Sequence, residues 1–277
     1  MPCPHCQSSR TQEQPETTSL GYRTFRCAAW ARRFNERTGT PFNDPRASTV
    51  IVFLLVLRRL RYLLGLRHLA EMFLELGFAF RHKTARSWEA LVAPLLPEHL
   101  RARRKGKAGQ KWHANETYIK VHGMWCYLYQ AIDADGNLVD SMLSERRDMD
   151  ARVPACGCRF FARSLEVVGH APARVTTDGH DAYPRAIREI LGEGVIHPCS
   201  EYMNNRIEQG HRGIKGRYGP MCGFGSFASA ARFCTAHDEL REYFRHRTRM
   251  HGVVPPRVRR EQFRARFSGM RVMLGAA

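Results

Sequence analysis

Hydrophobic positions along this chain follow two different periods. Residues 48–93 repeat at helical spacing. "STVIVFLLVLRRLRYLL" opens on a Ser48 or Thr49 cap and becomes amphipathic at its basic end. "LRHLAEMFLELG" sets Leu66, Leu69, Ala70, Phe73 and Leu74 on one face and stops at Gly77. "HKTARSWEALVAP" predicts a third helix, with Ala85, Trp88 and Leu91 inward and Lys83, Arg86 and Ser87 outward. From residue 111 the period drops to two. "TYIKV", "WCYLYQAID" and "LVDSMLS" read as three antiparallel strands, joined around Gly123 and through Asp135-Gly136. Alternation follows: a helix in "FFARSLEVVG", a short buried strand in "ARVTTD" ending at Asp178, a helix in "AYPRAIREIL" and a fifth strand in "GVIHPC". Two more helices follow, in "NNRIEQGHRGIKGRYG" and "SFASAARFCTAHDELREYFRHR".

Three antiparallel strands followed by alternating elements predict an α/β fold: an RNase H-like mixed sheet with flanking helices. The boundaries expected are a zinc-ribbon-like segment over 1–46, a helix-turn-helix region over 47–100, a basic linker over 101–111, the α/β domain over 112–250 and a basic C-terminal tail over 251–277. Helix, glycine turn, then a helix with a basic first turn is the layout that reads DNA, so Lys83, Arg86 and Ser87 are candidate DNA contacts. An ordinary helical bundle has the same pattern.

Charge narrows the choice. Lys and Arg number 44 against 26 Asp and Glu, a net +18, and the excess recurs in "RRLR", "RARRKGK" and "RVRR". A polyanionic partner is implied, nucleic acid being the commonest. "VIVFLLVL" is followed at once by charge, so no segment is expected to span a membrane. The nine cysteines suggest no disulfide framework, which implies a reduced, cytoplasmic protein. Cys3, Cys6 and Cys27 have zinc-ribbon spacing, but Trp30 stands where a fourth thiolate belongs, leaving either an incomplete Zn²⁺ site or a metal-free segment.

In that fold three positions converge: residue 115 on the first strand, Asp178 at the end of the fourth, and Glu208 on the helix beyond. Carboxylates so placed would hold paired Mg²⁺ ions for phosphoryl transfer. Asn204, Glu208, His211 and Lys215 recur at helical spacing, with Arg212 close by, which suits a metal and a DNA phosphate. A solvated helix face with an i,i+4 ion pair would look alike.

At these residues the sequence resembles the DDE-type transposases of bacterial insertion sequences, in the group named after insertion sequence six. The words that carry the likeness are "WHANETYIKVHGMWCYLYQAIDADGNLVDSMLSERRD", "VTTDGHDAYPRAI" and "YMNNRIEQGHRGIK", in that order. The resemblance implies an RNase H-like catalytic domain that uses Mg²⁺ to cut and join element ends. It also implies double-stranded DNA partners (terminal inverted repeats and target), a homo-oligomer, and a bacterial or archaeal cytosol. The catalytic triad falls on Asn115, Asp178 and Glu208, with Asp178 and Glu208 as Mg²⁺ ligands and His211, Arg212 and Lys215 toward DNA. The family has Asp where this chain has Asn115, and Asp where it has Gly210. An amide keeps the shape but loses the charge that divalent cations require. A rate loss on the order of 10³-fold is expected, at roughly tenfold per 1.4 kcal/mol. Two functions follow: a transposase with impaired chemistry, or an inactive DNA-binding protein that inhibits active relatives.

Overall fold

The computed structural model describes residues 1–146, 156–179, 182–200, 205–246 and 253–275, without the side chains of 156, 182, 205, 206, 208 and 209. Strands Thr11–Thr17 (β1), Arg23–Cys27 (β2) and Arg33–Asn35 (β3) form an antiparallel meander. Its core is only Cys3, Phe25, Cys27 and Phe34. So small a core cannot hold a fold alone, and the segment is tied to the helix that follows. Buried Arg37 donates to the carbonyls of Ala47 (3.0 Å) and Pro45 (2.5 Å), and its guanidinium stands 5.0 Å from the centre of the Tyr22 ring. The Tyr22 hydroxyl accepts the N–H of Thr49 at 2.8 Å. Tyr22 thereby caps a helix whose own Ser48 makes no side-chain cap bond.

Four helices follow: Thr49–Arg61 (α1), Leu66–Glu75 (α2), His82–Val92 (α3) and Leu95–Arg104 (α4). In α1, Val52, Phe53, Leu55, Val56 and Leu60 are all buried, which is why its sequence is apolar on nearly every side. Two inward assignments shift. Leu74 of α2 is 60% exposed, and Leu91 of α3 is 36% exposed. Glu89 takes the inward place beside Ala85 and Trp88, because Arg59 of α1 lies within 3.5 Å of its carboxylate and both side chains are buried. Burial raises the Glu89 pKa and lowers that of Arg59, the usual effect of removing charge from water.

The start of the expected 101–111 linker is also different. Helix α4 runs through Pro97, which sits in its first turn where no donor is needed. Arg101 and Arg104 point inward onto Glu239, at 2.8 and 2.6 Å, and Arg101 also meets Asp140 at 2.7 Å. Both carboxylates are fully buried, so these arginines fasten the helical region to the sheet.

The sheet is built from Lys111–Val121 (β4), Met124–Asp133 (β5), Leu138–Ser144 (β6) and Arg174–Thr176 (β7), in the order β6-β5-β4-β7. The first three are antiparallel and β7 joins β4 in parallel. Trp112, Ala114, Tyr129 and Val175 face one side, under Cys156–Val168 (α5) and Ala182–Ala186 (α6), the latter running into a π-helical turn at Ile187–Leu191. Ile119, Val121 and Leu128 face the other, under Asn205–Tyr218 (α7) and Phe227–Phe244 (α8), in a core shared with α1 to α4. This is a mixed sheet between helical layers, the arrangement the sequence predicts for an RNase H-like fold.

Two expectations change here. "GVIHPC" forms no full strand; it touches the sheet through isolated bridges, Arg174 with Ile196 and Thr177 with Cys199. Pro198 has no N–H to continue a ladder. The C-terminal tail contains a helix, Pro256–Met273 (α9), whose Phe263, Phe267 and Met270 join the larger core.

Candidate active site

Strand register brings two of the three expected residues together. In the parallel ladder Trp112 pairs with Val175 and His113 with Thr176. Asn115 and Asp178 each lie two positions beyond that last pair, so they stand side by side where the strands leave the ladder. Alternation puts both on the face opposite Trp112 and Val175, the face toward α7 and α8. Asp178 is half-buried, and Gly179 after it takes φ +90°, a turn that favours glycine. The strand exit is pinned by Thr177, whose hydroxyl lies 2.8 Å from Nε2 of His197 and accepts the N–H of Gly179.

The third position comes from α7. Across the antiparallel ladder Asn115 pairs with Gln130. A Cβ at Gly210 would stand 3.1 Å from Oε1 of Gln130 and 3.2 Å from Nη1 of Arg241. The N-terminal half of α7 therefore lies directly over the Asn115–Gln130 pair, and Glu208 is two residues before Gly210 on that helix. Ile207, His211 and Ile214 are its buried positions, while Arg212 and Lys215 are exposed. Asn204 and the Glu208 side chain lie outside the described residues.

His211 is buried, not solvated beside Lys215. Desolvation lowers its pKa to about 4; Asp238 opposes the shift, and Lys215 and Arg241 add to it. At neutral pH it is therefore an uncharged imidazole, and its Nε2 is buried without a partner.

Beneath the site lies a polar cluster that sequence reading missed. The Gln130 amide donates to Asp238 of α8, whose other carboxylate oxygen lies 3.1 Å from Nδ1 of His237. All three residues are buried. The available signal was one polar residue, Gln130, inside the apolar run "CYLYQAI".

The donor set fits paired divalent cations poorly. Asn115 offers one neutral carbonyl oxygen, and that oxygen accepts the N–H of Glu116 at 2.8 Å. A neutral ligand already engaged by its own backbone does not fit the position that would bridge two cations. A second candidate site is at the N-terminus. The sulfurs of Cys3, Cys6 and Cys27 lie within 4.8 Å of one another, Cys6 and Cys27 at 3.5 Å. Cys3 and Cys27 are buried and Cys6 is exposed. The cluster fits three corners of a zinc tetrahedron. Trp30 does not close the fourth; its ring lies 4.5 Å from that of His5, tilted by 46°.

Of the residues expected to contact DNA, Lys83, Arg86 and Ser87 are exposed on α3, and the Ser87 hydroxyl donates to the Lys83 carbonyl at 3.1 Å. Among the described residues no helix is long and apolar enough to cross a membrane.

The chain has counterparts among known proteins. Residues 109–247 match the family model of the DDE domain of IS240-type transposases. A transposase for insertion sequence-like element IS431mec of Staphylococcus aureus (strain Mu50) is 36% identical over 162 residues, spanning 57% of this chain and 69% of the relative. The transposase for insertion sequence element IS257 in transposon Tn4003, also of Staphylococcus aureus, matches to the same extent. The catalytic core domain of BIV integrase aligns with 58% of this chain and 99% of its own, at 12% identity and a TM-score of 0.29. The chain belongs to the DDE-type insertion-sequence transposases.

Proposed function

We propose that this transposase binds the ends of its element through α3 and α7, and that its strand-transfer centre, at Asn115, Asp178 and Glu208, is crippled by the amide. The observation that supports this reading is the β4–β7 register, which sets Asn115 beside Asp178 under the helix that carries Glu208. When bound, magnesium would supply Lewis-acid activation of a water or 3′-hydroxyl. Here Asp178 and Glu208 are the carboxylates that could hold one ion, and Asn115 does not fit a second bridging contact, so no complete reaction is derived. The exposed Lys83 and Arg86 on α3, with Arg212 and Lys215 on α7, supply phosphate contacts. Holding two element ends together calls for at least two copies of the chain. Zn²⁺ at Cys3, Cys6 and Cys27, with an outside fourth ligand, would stabilise the ribbon.

The decisive experiment compares wild type, Asn115→Asp and the double variant Asn115→Asp/Asp178→Asn. The substrate is a duplex carrying the DNA that borders the gene on either side. Mg²⁺-dependent cleavage and joining should rise on the order of 10³-fold in the single variant and vanish in the double. Binding of that duplex with no cleavage by any variant would favour the inhibitor reading instead.

A further inference from the structure

Helix α9 is amphipathic in an unusual sense: its apolar side is already used. Met270 is fully buried and Leu274, just beyond the helix, nearly so; the Phe267 ring lies 5.6 Å from Phe53 of α1, and Phe263 lies 5.2 Å from Phe244 of α8. The Arg61 guanidinium completes the seam, 4.2 Å from the ring centre of Phe244 and 5.3 Å from that of Phe263. The Tyr243 hydroxyl donates to the carbonyl of Arg266 at 3.0 Å. Docked in this way, α9 rests on the first helix of the DNA-binding region and on the last helix of the catalytic domain.

What α9 turns outward is arginine. Its 18 residues hold six arginines and one acidic residue, Glu261. Arg257, Arg260 and Arg264 recur at i, i+3 and i+7, so they form one stripe along the helix. All three are exposed. Arg257 shares its charge with Glu261 at 3.0 Å in a solvent-facing pair, and among the described residues no hydrogen bond or ion pair engages Arg260 or Arg264. A basic helix can also serve a membrane surface, but that needs a continuous free apolar face; Phe263, Phe267 and Met270 of α9 are in the core, and what it exposes of apolar surface is Val258 and Val272, near opposite ends of the helix. Arginine suits phosphate, because its fork of donors matches the oxyanion geometry. From Arg257 to Arg264 the helix rises ~10 Å, the span of about three phosphates of one strand of duplex DNA.

We propose that the Arg257–Arg260–Arg264 stripe of α9 grips the phosphate backbone of duplex DNA, independently of sequence. This rests on the DNA-binding reading given above and adds a surface outside both α3 and the strand-transfer centre. Because α9 touches α1 and α8 together, DNA held there would be anchored to the helical region and the catalytic domain at once.

The test uses the full chain and a fluorescent duplex of random sequence, with affinity measured against salt. Arg257→Gln/Arg260→Gln/Arg264→Gln should reduce the log–log salt slope by about 2 to 3 and weaken binding at 0.1 M salt on the order of 10²-fold. Its unfolding midpoint should stay at the wild-type value, since the three side chains touch nothing in the core. A Lys83→Gln/Arg86→Gln variant is measured in parallel. If that variant loses affinity and the α9 variant matches wild type in slope, the α9 grip is overturned while DNA binding stands. If wild type binds no duplex at all, the DNA reading itself fails, and the α9 proposal with it. Capture of wild type by anionic vesicles, with duplex ignored, would also overturn the proposal.

Discussion

Gln130 pairs with Asn115 across the β4–β5 ladder and donates its amide to Asp238 of α8, so β5, the strand beside the one that carries Asn115, is tied through one side chain to a buried carboxylate in the helical layer. Side-chain pairs between elements fix the frame here, and among the described residues none of them runs through Asn115, whose amide oxygen accepts from the N–H of Glu116.

Asn115→Asp should therefore show its effect through metal dependence more than through fold. A second carboxylate beside Asp178 repels the first when no cation is present. In EDTA the variant should be less stable than wild type by about 1 kcal/mol, and millimolar Mg²⁺ should reverse the deficit by mass action. Wild type should respond weakly to the same titration. Thermal unfolding with and without Mg²⁺ checks both, and equal responses in the two proteins would refute a restored metal site.

Gly210→Asp is predicted to stabilise. Glycine inside a helix costs roughly 0.5–1 kcal/mol relative to alanine. The atoms nearest a new Cβ, Oε1 of Gln130 at 3.1 Å and Nη1 of Arg241 at 3.2 Å, are ends of flexible side chains that can give way. The new carboxylate would lie against Arg241. A gain of about 1 kcal/mol, or roughly 2–4 °C in midpoint, is expected. Gly210→Ala should gain less, which separates the ion pair from helix propensity. A loss in both variants would show that the space is closed.

Much of this arrangement was legible in the sequence. Period-two alternation located β4, β5 and β6, and the reading of Asn115 and Asp178 as neighbours at a strand exit agrees with the β4–β7 register. What stayed hidden was pairing across long separations. Arg101 and Arg104 lie in a run that reads as a solvated linker, yet they meet Asp140 and Glu239, far along the chain. Glu89 sits where an apolar residue is expected, and Arg59 makes that position tolerable. His211 shares a helical period with Lys215, but a packed helix has a buried arc whose edge periodicity alone does not fix. The apolar seam of α9 went unread because its partners are α1 and α8, on elements distant in sequence.

The Arg101–Arg104–Glu239 cluster gives a stability prediction of its own. Glu239 is 1% exposed and accepts from both arginines. Removing one member of a buried pair leaves the other charge uncompensated, at a cost of about 3–5 kcal/mol. Arg101 retains Asp140, so Glu239→Gln should fall near the lower end, about 3 kcal/mol, with Arg104 the stranded charge. Urea unfolding measures it. A cost under about 1 kcal/mol would mean that water or a neighbour replaces the carboxylate.

The pH dependence of stability should carry the signature of His211. Its folded pKa is lowered to about 4, from the ordinary value of 6.5, chiefly by burial. Between those two values the unfolded chain binds the proton and the folded chain does not, so stability rises with pH across that window and is lost as pH falls through it. Full loss amounts to about 3 kcal/mol, at about 1.4 kcal/mol per pKa unit. The charges facing the ring are Asp238, which favours protonation, and Lys215 and Arg241, which oppose it. His211→Gln has no titrating ring, so its stability should lose most of that dependence between pH 6.5 and 4. A smaller slope of the same sign should persist from His197, whose pKa burial also lowers. Urea midpoints taken at half-unit steps of pH decide the matter: parallel curves for wild type and variant would show that His211 is solvated, and its assigned place against Asp238 would be wrong.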